Sequence, residues 1–310
     1  MSHVAVVGAG VIGRAWVVQL AAYGVRVTVS DPDPKAATLL ARDVEQARPA
    51  LSTLGLDVAD WHDRVQVVES VAEAVDGARF VQESGPERED VRAALFGEID
   101  EAAPAGSPVA SSTSTMPPSR LAALAPLHPE RFVVGHPFNP VHLVPLVEVV
   151  GSDVTSPDVL ARALEFYREV GKRPIHVRRE VPGHLANRLQ AALWREAYSL
   201  VEQGVASVAD VDAAIAHGPG LRWALLGPLA NQHLSGGEGG LRHVLEHLGP
   251  PTQELMDDLG SARLDDALTD ALVSGVDAEL AGIDQHAMSA DRDALLVHLL
   301  AAKSRAQHLP

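Results

Sequence analysis

A chain of 310 residues can bury a sizeable core and, on size alone, form about two domains. Its 46% hydrophobic and 21% charged residues are those of an ordinary globular protein, and a formal charge of -16 argues against nucleic acid as a partner, since binding there needs Lys and Arg against phosphates. The lack of cysteine excludes disulfides, thiolate nucleophiles and zinc sites built on sulfur. No apolar run approaches the roughly 18 to 20 residues of a bilayer span, so the expectation is a cytoplasmic protein with no membrane partner.

Residues 3–7 form a short continuous apolar run that ends at Gly8. Gly10 and Gly13 follow, with Val11 and Ile12 between them, and a helical pattern then runs to about residue 23. A second buried-strand pattern at 25–30 ends at Asp31. Glycines at a strand-to-helix junction, with an acid roughly 20 residues on, are the fingerprint of a dinucleotide site. Gly8 permits the tight turn, Gly10 lets the backbone approach a pyrophosphate, and Gly13 lets helix and strand pack closely. Asp31 is expected on the adenosine ribose hydroxyls; beside Asp33, with no arginine next to either, it favours NAD over NADP.

The stretch 34–59 reads as a pair of helices projecting from the sheet, because it is longer than a simple crossover needs. Strands are expected at 65–68 and 79–83, with an acidic helix at 71–76 between them. The loop 84–87 then lies at a strand's carboxyl end, where open α/β sheets bind ligands. A helix at 90–103 and a strand at 108–110 lead into the hydroxyl-rich residues 111–115, whose ordinary role is to cap the helix following Pro117 and Pro118.

Apolar runs at 132–134 and 146–150 read as buried strands flanking a proline-rich loop with His136 and Asn139. If the second strand returns beside the first, Glu148 reaches the ring of His136 and supports an imidazolium, making His136 the candidate catalytic base. Taken alone, this passage also suits a structural histidine at a strand end.

A helix at 159–170 and a strand at 174–177 follow, and from residue 183 onward only helical patterns remain. The boundary is therefore placed near 179–182, giving a doubly wound α/β domain of the Rossmann type over 1–180 and an all-helical domain over 181–310. In the latter, Leu185, Leu189, Leu193 and Leu200 share one face of a helix running to about residue 203, and Ser207 with Asp210 forms a capping box. Further helices are expected at 221–234, 240–248, 262–280 and 291–307. His243 and His247 have the helical spacing of metal ligands but lack a third ligand or an HExxH pattern, so no metal site is expected.

These motifs together resemble the L-3-hydroxyacyl-CoA dehydrogenases, and more closely the short-chain branch of carnitine and gulonate dehydrogenases and lambda-crystallin. The resemblance covers nearly the whole chain. It rests on the glycine turn with Asp31, on Gln82 to Ser84 with Pro86 and Glu87, on Ala110 to Ser114, on His136 to Pro140 through Pro145 to Glu148, and on Pro182 and Gly183 with Asn187 and Arg188. It implies a reversible oxidation in which His136 takes the proton of a 3-hydroxyl while hydride passes to NAD, with Glu148 supporting the imidazole. Ser114 and Asn187 match positions that hydrogen-bond the substrate oxygen or steady the histidine. Glu87, Arg92 and Asn139 match cofactor-contacting positions, with Arg92 standing where lysine is usual.

The branch implies a small free L-3-hydroxy acid, carnitine-like or gulonate-like, and a homodimer formed through the helical domain. Lys35, Arg42 and Arg48 among several acids are a poor seat for CoA phosphates. Arg222 could pair with a free carboxylate, and Trp223 and Trp194 could face a quaternary ammonium; a surface ion pair and ordinary core are the respective alternatives. Asn187 stands where the carnitine enzymes are expected to carry aspartate, His184 where an aromatic ring is usual, and His142 where tyrosine is common. The competing functions are a hydroxyacyl-CoA dehydrogenase and a non-catalytic NADH-binding protein.

Overall fold

The computed structural model describes residues 3–309, and the chain divides into two compact units between Ala186 and Asn187. The first is built on eight strands: β1 (His3–Val7), β2 (Val27–Ser30), β3 (Val65–Val68), β4 (Ala78–Glu83), β5 (Val109–Ser111), β6 (Phe132–Pro137), β7 (Leu146–Gly151) and β8 (Arg173–Val177). They lie in the order β3-β2-β1-β4-β5-β6-β7-β8. The first six are mutually parallel, β7 turns back antiparallel to β6, and β8 runs parallel to β7.

Helices α1 (Val11–Ala22), α2 (Ala36–Thr53), α3 (Val71–Val75), α4 (Glu89–Ala102), α5 (Pro118–Ala123) and α6 (Pro157–Glu169) cover the sheet. The side-chain period of two divides each strand between two cores. Val4 and Val6 join Trp16, Leu40 and Phe166 on one face, while Ala5 and Val7 join Phe96, Leu121 and Phe132 on the other. With both faces covered, β1 and the opening of β6 are continuous apolar runs and do not alternate. The chain reverses its strand order between β1 and β4, and there the carboxyl ends of adjacent strands diverge to open a crevice.

Two expectations for this unit need correction. The stretch 34–59 is not a pair of helices: α2 is a single helix that runs on through Pro49, held by a buried stripe of Leu40, Val44, Ala47 and Leu51. After it, Gly55 turns the chain and Trp61–Asp63 adds only one short 3₁₀ turn. Nor do the hydroxyls of 111–115 cap α5, whose N-cap is Pro117 with no side-chain bond.

The second unit contains α7 (Ala186–Glu202), α8 (Val208–Ala216), α9 (Pro219–Trp223), α10 (Pro228–Ser235), α11 (Gly240–Asp258), α12 (Asp266–Glu279) and α13 (Gln285–Arg305), with no strand among its described residues. Ser207 caps α8 as expected, accepting the Asp210 amide at 3.1 Å and donating to its carboxylate at 2.6 Å. The expected helix over 221–234 is two helices, because Pro228 opens a new one with Gly227 as its N-cap. α11 continues well past residue 248 through Pro250 and Pro251. No helix among the described residues is long and apolar enough to cross a membrane.

Candidate active site

The glycine turn occupies the end of β1. Gly8 has φ +96°, and a Cβ on it would press to 2.7 Å from the Ser84 carbonyl oxygen; a Cβ on Gly13 would fall 1.8 Å from the Gly8 carbonyl oxygen. These two positions therefore exclude any side chain, whereas Gly10 faces open space. The first intrahelical bond of α1 runs from the Arg14 amide to the Gly10 carbonyl, leaving the amides of Val11, Ile12 and Gly13 at the helix start as donors for an anion.

Asp31 accepts the Ala9 amide at 2.6 Å on one oxygen and the Asp33 amide at 2.8 Å on the other, and each oxygen keeps a lone pair for a ribose hydroxyl. Arg14 lies near the turn, unnoticed in the sequence, but its guanidinium is spent on Asp43 at 2.6 Å and the Ala9 carbonyl at 2.7 Å. The residues present thus fit a dinucleotide, and one without a 2′-phosphate.

On β6 and β7 the antiparallel register sets His136 opposite Glu148. Nδ1 of His136 lies 3.0 Å from Oε2 of Glu148. A carboxylate only accepts, so Nδ1 carries the hydrogen and Nε2 is left with the basic lone pair. The ring is 7% exposed and packs edge-on to Phe138, with centroids 4.9 Å apart. The other Glu148 oxygen accepts the amides of Leu185 and Ala186, each at 2.8 Å. Burial alone pushes the Glu148 carboxyl up, but the His136 donor, the two amides and the histidine's charge together outweigh it and hold the group below the usual carboxylate range.

Gly183 at φ +74° and His184 at φ +52° turn the chain just ahead of those two amides. His184 is buried beside His136, with centroids 5.3 Å apart. Burial and, after it, the neighbouring His136 push it below the ordinary histidine value. Neither the amide clasp nor this second imidazole was expected from the sequence, and the only hint was that His184 replaces an aromatic ring.

Ser114 belongs to a network around Glu87, which accepts the hydroxyls of Thr113 at 3.0 Å and Thr115 at 2.5 Å and the Ser114 amide at 3.3 Å. Burial raises the Glu87 carboxyl, and these three donors with Arg92 bring it below its ordinary value. Arg92 is buried, donates to Thr113 at 3.0 Å, lies 3.6 Å from Glu87, and has Nε without a protein partner. Beneath them Glu83 is fully buried, accepting Ser111 at 2.5 Å and the Gly85 amide at 2.7 Å, and its burial pushes the carboxyl up. Asn139 is exposed on the loop after β6.

The sheet unit thus brings together His136, Glu148 and His184 in one cluster, and Glu87, Arg92 and Ser114 in another. Of the remaining candidates, Asn187 is the second residue of α7, while Arg222 and Trp223 close α9. Trp223 is 43% and Trp194 48% exposed, so neither is core. Arg222 has no ion-pair partner among the described residues.

Comparison with known proteins agrees with this geometry. Residues 3–181 match the NAD binding domain of 3-hydroxyacyl-CoA dehydrogenase, and residues 183–269 match its C-terminal domain. An L-carnitine dehydrogenase of Streptomyces griseus is 47% identical over 98% of this chain and 90% of its own length; one of Pseudomonas putida is 42% identical over 98% and 95%. Among solved structures, 5-formyl-3-hydroxy-2-methylpyridine 4-carboxylic acid 5-dehydrogenase, an NAD+ dependent dismutase, superposes with a TM-score of 0.84 at 28% identity, covering 99% of this chain and 100% of its own. FadB2 of Mycobacterium tuberculosis gives 0.67 at 28% identity, covering 89% and 94%. The chain belongs to the 3-hydroxyacyl-CoA dehydrogenase family and is an NAD-dependent dehydrogenase acting on a CH–OH group.

Proposed function

We propose that the protein oxidises a small free L-3-hydroxy acid, carnitine first, reversibly to its 3-oxo form, with His136 and Glu148 as the acid/base pair. The observation that carries this reading is the 3.0 Å bond between His136 Nδ1 and Glu148 Oε2, with two amides anchoring the other carboxylate oxygen. Nε2 of His136 takes the hydroxyl proton, and Glu148 stabilises the imidazolium that forms. NAD, when bound, would supply the hydride acceptor, and the glycine turn with Asp31, joined by Glu87, Arg92 and Asn139, would hold it. Ser114 and Asn187 steady the substrate oxygen as it gains carbonyl character.

The choice of a free acid over a CoA thioester is supported by α2, where Arg42 pairs with Asp43 and Arg48 with Glu45, leaving little positive charge for CoA phosphates. It is supported also by the names of the relatives, L-carnitine dehydrogenases at 40–47% identity. We assign Arg222 to the substrate carboxylate and Trp223 to an ammonium group, on their exposure and, for Arg222, on the lack of an ion-pair partner.

Residues 1–180 are assigned to NAD binding and 181–310 to substrate binding and dimerisation. The dimer is supported by the apolar face of α7, where Leu189 is 59% exposed. It is supported too by a groove of about 400 Å³ lined by Trp194, Tyr198, Val208 and Val273. We also propose a cytoplasmic location, where an enzyme drawing on a freely exchanging NAD pool would find its cofactor.

The test follows NADH absorbance with carnitine, gulonate, 3-hydroxybutyrate and 3-hydroxybutyryl-CoA. Turnover of a free acid supports the reading, and turnover of the thioester alone replaces it with an acyl-CoA enzyme. NADH binding without turnover of any substrate makes the protein a binder. His136→Ala is expected to cut kcat by about 10²–10⁴-fold while leaving NADH affinity within a few-fold.

A further inference from the structure

Lys172 sits at the turn between α6 and β8, only 4% exposed, in a segment otherwise given to closing the apolar core. Its backbone amide donates to the Tyr167 carbonyl at 2.8 Å. Its side chain points inward: Nζ donates to the Val144 carbonyl at 3.0 Å and to the Val141 carbonyl, and lies 5.5 Å from the centre of the Trp16 ring. No carboxylate pairs with it among the described residues. Both carbonyls belong to the loop 138–145, which carries Asn139 and begins where β6 presents His136. Within the loop the Leu143 and Val144 amides return to the Pro140 carbonyl, the Pro145 carbonyl accepts the Arg173 amide, and Val141 is fully buried in the apolar core.

Burying a lysine without a counter-ion is costly, and an apolar residue would fill the space more cheaply. The cost makes sense where the donors are needed at that point. We propose that Lys172 is a positioning residue for the active site: from inside the protein it fixes the loop 138–145, and so the placement of Asn139 and of the strand end bearing His136. This rests on the reading of that loop as part of the catalytic site.

The loop carries His142, and α6 contributes Tyr167, whose carbonyl accepts the Lys172 amide and whose hydroxyl donates to Gln82 at 2.7 Å. α1 contributes Trp16, with Tyr23 just beyond it against Gly171, and β8 contributes the exposed Arg173. With no anion among them, burial pushes the Lys172 amine down to about 7. Either protonation state keeps N–H donors for the two carbonyls, and burial favours the neutral amine in the closed loop.

Hydrogen exchange read by mass spectrometry tests this without any substrate. Opening the loop to water would return the amine toward its ordinary value, so the lowered one is linked to the closed loop: in the wild type between about pH 6 and pH 8.5, protection of 141–144, corrected for the intrinsic rate, should rise about tenfold as pH rises through 7, while 146–151 stays level. In Lys172→Met the same loop should exchange about tenfold faster at pH 8.5 and show no step near pH 7, and the variant should bind NADH about tenfold more weakly. A folded Lys172→Met with unchanged loop protection and NADH affinity within about twofold overturns the proposal. If that variant does not fold, the wild-type series decides alone, and a level profile through pH 7 overturns it. Failure of every substrate in the turnover panel would instead sink the functional reading and leave these readouts intact.

Discussion

In the sheet unit Phe132, Val133 and Val134 are sealed from solvent, as are the side chains facing them on both sides. In the helical unit, Leu268 and Val297 are the only hydrophobic side chains buried to a comparable degree among the described residues, while Leu189, Leu221, Leu229, Leu234 and Leu245 lie open. The contrast is not one of composition. A sheet covered on both faces can finish its interior within one chain, whereas short amphipathic helices leave stripes that need another surface. One unit carries its stability inside itself, and the other, in the dimer proposed above, would be completed by association.

The contrast can be broken most forcefully in the sheet core. Phe132→Ala should cost about 3–5 kcal/mol in urea unfolding, whatever the protein concentration. The next effect belongs to the helical unit. Leu189→Glu combined with Leu193→Glu should convert a dimer to monomer in sedimentation equilibrium and abolish the concentration dependence of Tm, whereas Val154→Glu, equally open but on the sheet unit, should stay within about 0.5 kcal/mol of wild type. If the helical double variant is indistinguishable from wild type, those stripes meet no partner.

A smaller effect sharpens the claim that the sheet unit is complete down to its proposed catalytic pair. Glu148→Gln should cost about 1.5–3 kcal/mol at neutral pH, the worth of hydrogen bonds to a charged group. Because the folded carboxyl titrates below its unfolded value, that contribution is present above about pH 4.5 and disappears as pH falls through the folded value. Urea midpoints of wild type and variant should therefore converge in acid; a constant gap would show that the charge on Glu148 is not what the amides hold. The smallest effect is at the turn, where Asp31→Ser should raise KM for NAD about tenfold and narrow the preference over NADP, measured by initial rates with each cofactor.

Much of this was legible before any coordinates. The glycines, the acid after the second strand and the pairing of His136 with Glu148 all follow from period and spacing, because neighbouring strands place residues by register. The two amides on Glu148 and the lysine beneath the loop were not legible, since each contact joins residues about thirty or more positions apart through irregular backbone. Residues 111–115 misled for a related reason: a hydroxyl ahead of a helix usually caps it, but here Glu87 and Glu83 compete for the same donors. The stretch 34–59 misled because its length suggested two elements, while the stripe from Leu40 to Leu51 packs as one.

The amide clasp on Glu148 has a stereochemical consequence. A carboxylate fixed at both oxygens cannot swing, so the imidazole it supports cannot flip and offers one nitrogen along one direction. A secondary alcohol presented to that nitrogen has its hydrogen aimed to one side only, and its mirror image aims it away. With His136 in its proposed role as base, chirality at the carbinol would be read by the rigidity of that base, so that loosening the clasp should erode enantiomeric preference sooner than it erodes rate.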